Sequence, residues 1–288
     1  MSGETDWSFD NTDAVLATMH GKERVIAPLL QAALGLRIQM VAGLDTDRFG
    51  SFSRDIPRIG SPLDAARAKI AAAFELAPHA PIGVASEGSF GPHPQIPFIP
   101  FDSEIVLLLD RRNGLEIAGH YFTPRTNFSQ IAVSNMGAAM AFAERVGFPA
   151  HGVIVMATAG GRPAPERLLR KNIETTEDLK SMVGEAIALC GSAQLESDMR
   201  AHRNPTRMRA IKRATVDLIR HCRSACPQCN RPGFIVTERL FGLPCAGCGE
   251  PTDVMRAEVL ACAGCTHCIE RRIADALADP GRCDRCNP

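Results

Sequence analysis

The chain has 288 residues, and its 32 lysines and arginines balance 32 aspartates and glutamates, giving a formal net charge of zero at pH 7. That length holds one large domain with an appendage or two modest domains. The balance excludes a uniformly basic nucleic-acid binder but leaves room for a local basic stripe. Apolar residues at 45% exclude disorder over most of the chain, and aromatics at 5% argue against a platform for stacking single-stranded bases.

The acidic start Met1-Ser2-Gly3-Glu4-Thr5-Asp6 lacks the apolar core of a secretory signal. The longest apolar runs, such as Ile105–Leu109, fall far short of the roughly 20 residues that span a bilayer. A cytoplasmic protein with no membrane partner is expected.

In chain order, a short strand over Ala14–Ala17 breaks at Thr18-Met19-His20-Gly21-Lys22. A helix over Glu23–Leu34 follows, with Val25, Ile26, Leu29, Leu30 and Ala33 at helical spacing. Arg37–Ala42 is a second strand, and the acidic loop Asp45-Thr46-Asp47-Arg48-Phe49-Gly50 comes after it. Ser61-Pro62 starts a helix to about Leu76, with Ser as N-cap and Pro in the first turn. Strands over Ile82–Ala85, Glu104–Asp110 and Leu115–Phe122 follow, the last two flanking an Asn113-Gly114 hairpin signal. A helix over Met136–Val146 and a strand over Gly152–Met156 complete a mixed-sheet α/β domain, residues 1–160.

Residues 161–222 read as a helical connector. Leu179, Met182, Val183, Ala186 and Ile187 keep helical spacing, and Asn204-Pro205 caps a last helix whose apolar face is Met208, Ile211, Ala214, Leu218 and Ile219. Its other face carries Arg207, Arg209, Lys212, Arg213 and Arg220, a surface for phosphate or a solvated helix face.

Ten of the eleven cysteines lie between Cys222 and Cys286. Eight form Cys-x-x-Cys pairs: Cys226/Cys229, Cys245/Cys248, Cys262/Cys265 and Cys283/Cys286. Two such pairs complete a tetrahedron of thiolates, so residues 223–288 read as a zinc-binding domain with two structural four-cysteine sites. Sequential pairing is favoured, with a zinc-ribbon hairpin between the first two pairs and a short helix, Ile269–Leu277, between the last two. An interleaved arrangement uses the same eight ligands. Cys222, Cys268 and His267 are surplus, and Cys190 reads as a buried apolar residue.

Three places in the first domain suit chemistry; one is the acidic loop Asp45–Gly50, which binds metal or simply turns the chain. The loop Thr18–Lys22 opens a helix, whose first N–H groups and dipole attract an anion, and Thr18, His20 and Lys22 add polar groups. Glu87, at a strand end before Gly88, is a candidate Mg²⁺ ligand or base, joined by Asp102, Glu104 or Asp47. Arg200 and Arg207 flank the start of the basic helix and are the candidate phosphate contacts there.

The order strand, Thr18-x-His20-x-Lys22, helix, strand, Ala-rich helix with Arg67 and Lys69, then Val84-Ala85-Ser86-Glu87-Gly88 resembles the inosine/xanthosine triphosphate pyrophosphatase superfamily over residues 14–158. That likeness implies a triphosphate-gripping first loop and Mg²⁺ held for attack on the α-phosphate. His20 stands where Asn is usual. The segments Asp45–Gly50, Ser86–Pro94, Asp198–Met208 and the closing Cys286-Asn287-Pro288 resemble a bacterial family of uncharacterised proteins, over nearly the whole chain.

Two functions follow as expectations. One is Mg²⁺-dependent nucleotide phosphohydrolysis, with Lys22, Glu87 and Asp102 as catalytic residues. The other is a non-enzymatic module that binds a nucleotide or nucleic acid, with the zinc region and basic helix contacting nucleic acid or protein.

Overall fold

A computed structural model describes residues 7–46, 60–93, 95–273 and 277–288. They divide into two units, one from Phe9 to Ile219 and one holding Trp7, Ser8 and the chain from Arg220 onward.

The first unit begins with β1 (Asp13–Ala17), α1 (Glu23–Leu34), β2 (Arg37–Met40), α2 (Pro62–Leu76), β3 (Ile82–Pro92), β4 (Pro100–Asp110) and β5 (Leu115–Thr123). The strands form one sheet in the order β2-β1-β3-β4-β5. β1 runs parallel to β2 and β3, while β4 and β5 are antiparallel additions. β1 and the first seven residues of β3 are almost wholly buried, as parallel strands covered on both faces must be. Ser61 caps α2: its hydroxyl accepts the Asp64 N–H and the Asp64 carboxylate returns to the Ser61 N–H, a capping box that contributes about 1 kcal/mol.

The chain passes from β1 to β2 in one direction and then back across β1 to β3. The reversal leaves a crevice at the carboxyl ends of β1 and β3, where open α/β sheets place ligands. β1 stops at the Ala17–Ala85 pairing, whereas β3 continues to Pro92. Ser86, Glu87 and Gly88 therefore have no β1 residue beside them.

A second, antiparallel sheet is built from β6 (Gln130–Val133), β7 (Val153–Ala159), β8 (Arg162–Pro163), β9 (Leu169–Arg170) and β10 (Ala193–Ser197), with α3 (Met136–Val146) and α4 (Thr176–Cys190). Phe142, Leu179, Val183, Val155 and Leu195 make its core. The expected connector 161–222 does hold α4 and the last helix, α5 (Pro205–Arg223). It also holds β10, which pairs with β6 on one side and β7 on the other. A five-residue Ala-Gln-Leu-Glu-Ser strand buried on both faces lacks a long period-two pattern. For that reason the sequence boundary at 160/161 runs through a sheet. The class is mixed α/β, as expected.

The second unit is a three-stranded antiparallel meander of β11 (Ile235–Phe241), β12 (Met255–Ala261) and β13 (Cys268–Arg272). The helix expected over Ile269–Leu277 is instead β13 through Arg272. Residues 274–276 of that range, like Asp47–Gly50 of the acidic loop, lie outside the described residues. No helix among the described residues is long and apolar enough to cross a membrane.

Candidate metal centres and a buried charge cluster

Eight cysteines gather into two groups, Cys226/Cys229/Cys262/Cys265 and Cys245/Cys248/Cys283/Cys286. Paired sulfurs lie 3.7 Å (Cys226–Cys265), 3.6 Å (Cys229–Cys262), 3.8 Å (Cys245–Cys286) and 3.5 Å (Cys248–Cys283) apart. A tetrahedron with metal–sulfur bonds near 2.3 Å has edges of about 3.8 Å, so both groups fit a four-thiolate ion such as Zn²⁺.

The local turns support the fit. In the first turn Cys226 donates its N–H to the Arg231 carbonyl at 2.9 Å and Asn230, at φ 57°, donates back to the Cys226 carbonyl. The second repeats this with Cys245, Glu250 and Gly249, at φ 76°. The Gly247 and Gly264 N–H groups point at the Cys245 and Cys262 sulfurs, 3.3 Å in each case. Desolvation would raise both thiols. Donors outweigh it: the Cys248 and Gly247 N–H groups help bring Cys245 down to about 7, and the Gly264 and Cys265 N–H groups do the same for Cys262.

The pairing is interleaved, not sequential. The reason is strand parity. Each spacer between Cys pairs crosses the sheet once, as β11, then β12, then β13. The first and third pairs consequently meet at one end of the meander and the second and fourth at the other. A seven-residue β11 puts about 23 Å of strand between the two ends. A hairpin inside the first spacer would have returned the second pair to the first, but that spacer holds the single strand β11.

The surplus residues play other parts. Cys222 is buried, and desolvation pushes its thiol to about 12. Cys268 is exposed on β13, and the His267 ring stacks on Phe234 at 5.6 Å while its carbonyl accepts the Cys262 N–H. Cys190 ends α4, partly buried.

In the first unit, six charged side chains are buried around the crevice: Lys22, Lys69, Glu87, Asp102, Glu104 and Arg207. Lys22, at the start of α1, donates from Nζ to the Ser86 carbonyl (3.0 Å) and hydroxyl (3.4 Å), occupying the edge of β3 that β1 leaves open. Burial, then the neighbouring charges of Arg207 and Lys69, lowers its ammonium to about 7. Lys69 reaches Glu87 from α2 in a buried ion pair. Arg207 donates from Nε to Glu104 at 2.6 Å, bonds the Met199 carbonyl, and lies over the Phe90 ring at 4.9 Å. Gly88 makes room for this pair, because a Cβ there would sit 2.6 Å from Glu104 Oε1.

Side chains alternate along a strand. In the β3–β4 register Gly88 faces Glu104, Phe90 faces Asp102, and Glu87 faces Ile105. Glu87 therefore belongs to the α2 face, whereas Asp102 and Glu104 belong to the opposite face beneath Arg207. The expected pairing of Glu87 with Asp102 on one Mg²⁺ does not fit this arrangement. The register puts the two on opposite faces, and Glu87 and Glu104 are each held by a cation. Asp102 sits beside Glu104, and burial, followed by the Glu104 charge, raises its carboxyl to about 8.

The remaining expected residues are placed as follows. The Thr18 hydroxyl donates to the Met19 carbonyl at 3.2 Å. His20 adopts φ 65° and stacks on His202 at 5.0 Å, and burial, then His20, lowers the His202 imidazole. Arg200 grips the buried Asp198 carboxylate, 2.6 Å from Nη2, and also bonds Asn172. Arg207 is not part of an exposed stripe: it is buried with Ala210, Ile211 and Ala214 on the inner face of α5. Asn204 does cap that helix, accepting the Arg207 N–H at 2.9 Å.

Lys69 was not among the residues expected in the site. Its signal is a lysine in phase with Ala66, Ile70 and Ala73, the buried face of α2.

No curated protein matches the chain. Residues 69–288, which take in α2 from Lys69 onward, the β3–β4 ribbon, the second sheet and both cysteine groups, match the family described as Domain of unknown function (DUF6671), and the chain belongs to that family.

Proposed function

We propose that the crevice at the carboxyl ends of β1 and β3 binds a nucleotide through its phosphates and hydrolyses it, while the second unit is stiffened by two structural zinc ions. The observation that carries this reading is a charge imbalance. Among the described residues, the cluster sets Lys22, Lys69 and Arg207 against Glu87 and Glu104, while burial and the Glu104 charge raise the third carboxyl, Asp102, to about 8. An anion would complete the cluster and draw Lys22, poised at about 7, to its charged form.

Further support comes from the loop above Lys22. His20 and Gly21 both adopt left-handed backbone, at φ 65° and 75°, and α1 starts without a side-chain cap. Entry of a ligand requires this loop to move, since Lys22 is 5% exposed. In the reaction, Lys22 holds phosphate and Asp102 is the group able to donate a proton at neutral pH. The pyrophosphatase resemblance implies the phosphate grip of the first loop; it assigns its acid to Mg²⁺ and so says nothing of Asp102 as a proton donor.

Several arginines of the second unit already have acidic neighbours. Arg271, Arg282 and Arg285 lie within 3.0 Å of Glu258, Asp253 and Glu250, and Arg239, Arg256 and Arg272 also lie near glutamates.

The test is calorimetric titration of the chain with nucleoside triphosphates and with tripolyphosphate, beside a phosphate and pyrophosphate release assay with and without Mg²⁺. Binding that weakens at least tenfold in Lys22→Met, and turnover that disappears in Asp102→Asn, are expected. Absence of binding and release across the panel overturns the reading, as does turnover indifferent to Lys22→Met.

A further inference from the structure

Trp7 lies outside every element assigned so far, yet it has a defined place. The Arg231 guanidinium carbon sits 5.1 Å from the centre of the Trp7 ring, within cation–π range. The backbone of Arg231 belongs to the first cysteine turn, where its carbonyl accepts the Cys226 N–H and its N–H supports the Cys229 sulfur. Its side chain crosses to the third turn. A Cβ at Gly264, between Cys262 and Cys265, would overlap Arg231 Cδ and lie 3.1 Å from Nε. Arg231 thus spans the two halves of one metal group, with Trp7 against it.

The second group has no counterpart among the described residues. Its fourth turn carries Arg285, which pairs with Glu250, and Cys286 is exposed. Gly247, in the second turn, packs on the Pro280 ring and the Cys286 sulfur, with no charged side chain against it.

We propose that Trp7 and Arg231 form a clasp on the Cys226/Cys229/Cys262/Cys265 centre, so that metal at this centre and docking of Trp7 stabilise one another. Arg231 is a positioning residue: it holds the two cysteine turns at ligand distance and gives Trp7 its seat. Coupling of this kind is reciprocal. Losing the metal frees the third turn and removes the seat, and losing Trp7 loosens the turn and speeds metal release. The segment around Trp7 then reports, and responds to, the state of one centre and not the other.

Trp7 is the only tryptophan in the chain, so its emission reads this directly. The experiment uses the zinc-loaded 288-residue chain, a chromophoric chelator to time release, and mass spectrometry to count zinc and locate alkylated cysteines. Chelation is expected to shift Trp7 emission in step with loss of one zinc and alkylation of Cys226, Cys229, Cys262 and Cys265. Cys283→Ser, which breaks the other centre, keeps the native emission. Trp7→Ala and Gly264→Ala, the latter displacing Arg231, release that zinc about three- to tenfold faster while the second zinc leaves at its original rate. Emission unchanged by zinc loss overturns the proposal. So does emission that follows the Cys245/Cys248/Cys283/Cys286 centre, or release at both centres indifferent to Trp7→Ala.

Discussion

Replacing Arg207 by Met removes the guanidinium hydrogen bond to the Glu104 carboxylate while keeping most of the volume. Glu104 is 0% exposed, Arg207 is 1% exposed, and Nε lies 2.6 Å from the carboxylate. Breaking such a pair by deleting one partner costs about 3–5 kcal/mol, because the survivor is left charged away from water. Lys22 moderates the loss. Arg207 is the largest neighbouring charge lowering its ammonium, so without Arg207 Lys22 charges more readily and partly faces Glu104. The lower end, about 3 kcal/mol, is therefore expected for Arg207→Met.

Adding Glu104→Gln removes the orphaned charge and should bring the double variant to within about 1–2 kcal/mol of the native chain, a rescue of about 1–2 kcal/mol relative to Arg207→Met alone. Because the chain has two units, a global unfolding midpoint would blend them. The measurement is amide hydrogen exchange of β3 and β4, which reports opening of the Phe9–Ile219 unit. A cost for Arg207→Met below about 1 kcal/mol, with no rescue in the double variant, would mean that Arg207 and Glu104 do not depend on each other and would refute the reasoning.

The interleaved ligation has a stoichiometric signature. Cys226→Ser with Cys265→Ser should leave one zinc per chain by mass spectrometry, whereas Cys226→Ser with Cys245→Ser should leave none; sequential pairing requires the reverse. Asp102 gives the first unit an acid-side pH dependence. Its folded carboxyl titrates at about 8 against an ordinary 3.8, so between these values the folded chain keeps a proton that the unfolded chain has lost, and stability falls as pH rises. From pH 5 to pH 7 the drop is about 2–3 kcal/mol, absent in Asp102→Asn. Lys22 acts with opposite sign and only above its folded value of about 7, so it leaves that window untouched. An unchanged slope in Asp102→Asn, followed by hydrogen exchange, would remove Asp102 as its source.

Strands and helices with strong local signals were legible in the sequence. The Ser61-Pro62-x-Asp64 start of α2, the Asn113-Gly114 turn and the Asn204-Pro205 start of α5 each carry their own capping or turn chemistry. The eight clustered cysteines were legible for the same reason, since two residues between thiols is already a ligand geometry. Their partners were not, because that depends on how many strands separate the pairs. Among the site residues, Lys22 and Glu87 were placed by their position at strand ends. Which face each acid occupied required the β3–β4 register, set by pairing between residues 16–18 positions apart in the middle of the ribbon. Arg207 resists a reading from sequence for a related reason. An arginine within a run of basic residues looks solvated until a buried carboxylate from β4 claims it.

The alternation of ligand pairs along the meander bears on how the second unit assembles. The stretch from Cys229 to Cys262 and the stretch from Cys248 to Cys283 overlap, so closing either ring of backbone constrains part of the other. The first ion captured shortens the effective path the second must close, which lowers the chain entropy lost in the later step. If both groups take an ion, a slow first capture followed by a faster one is expected, with β12 common to both rings.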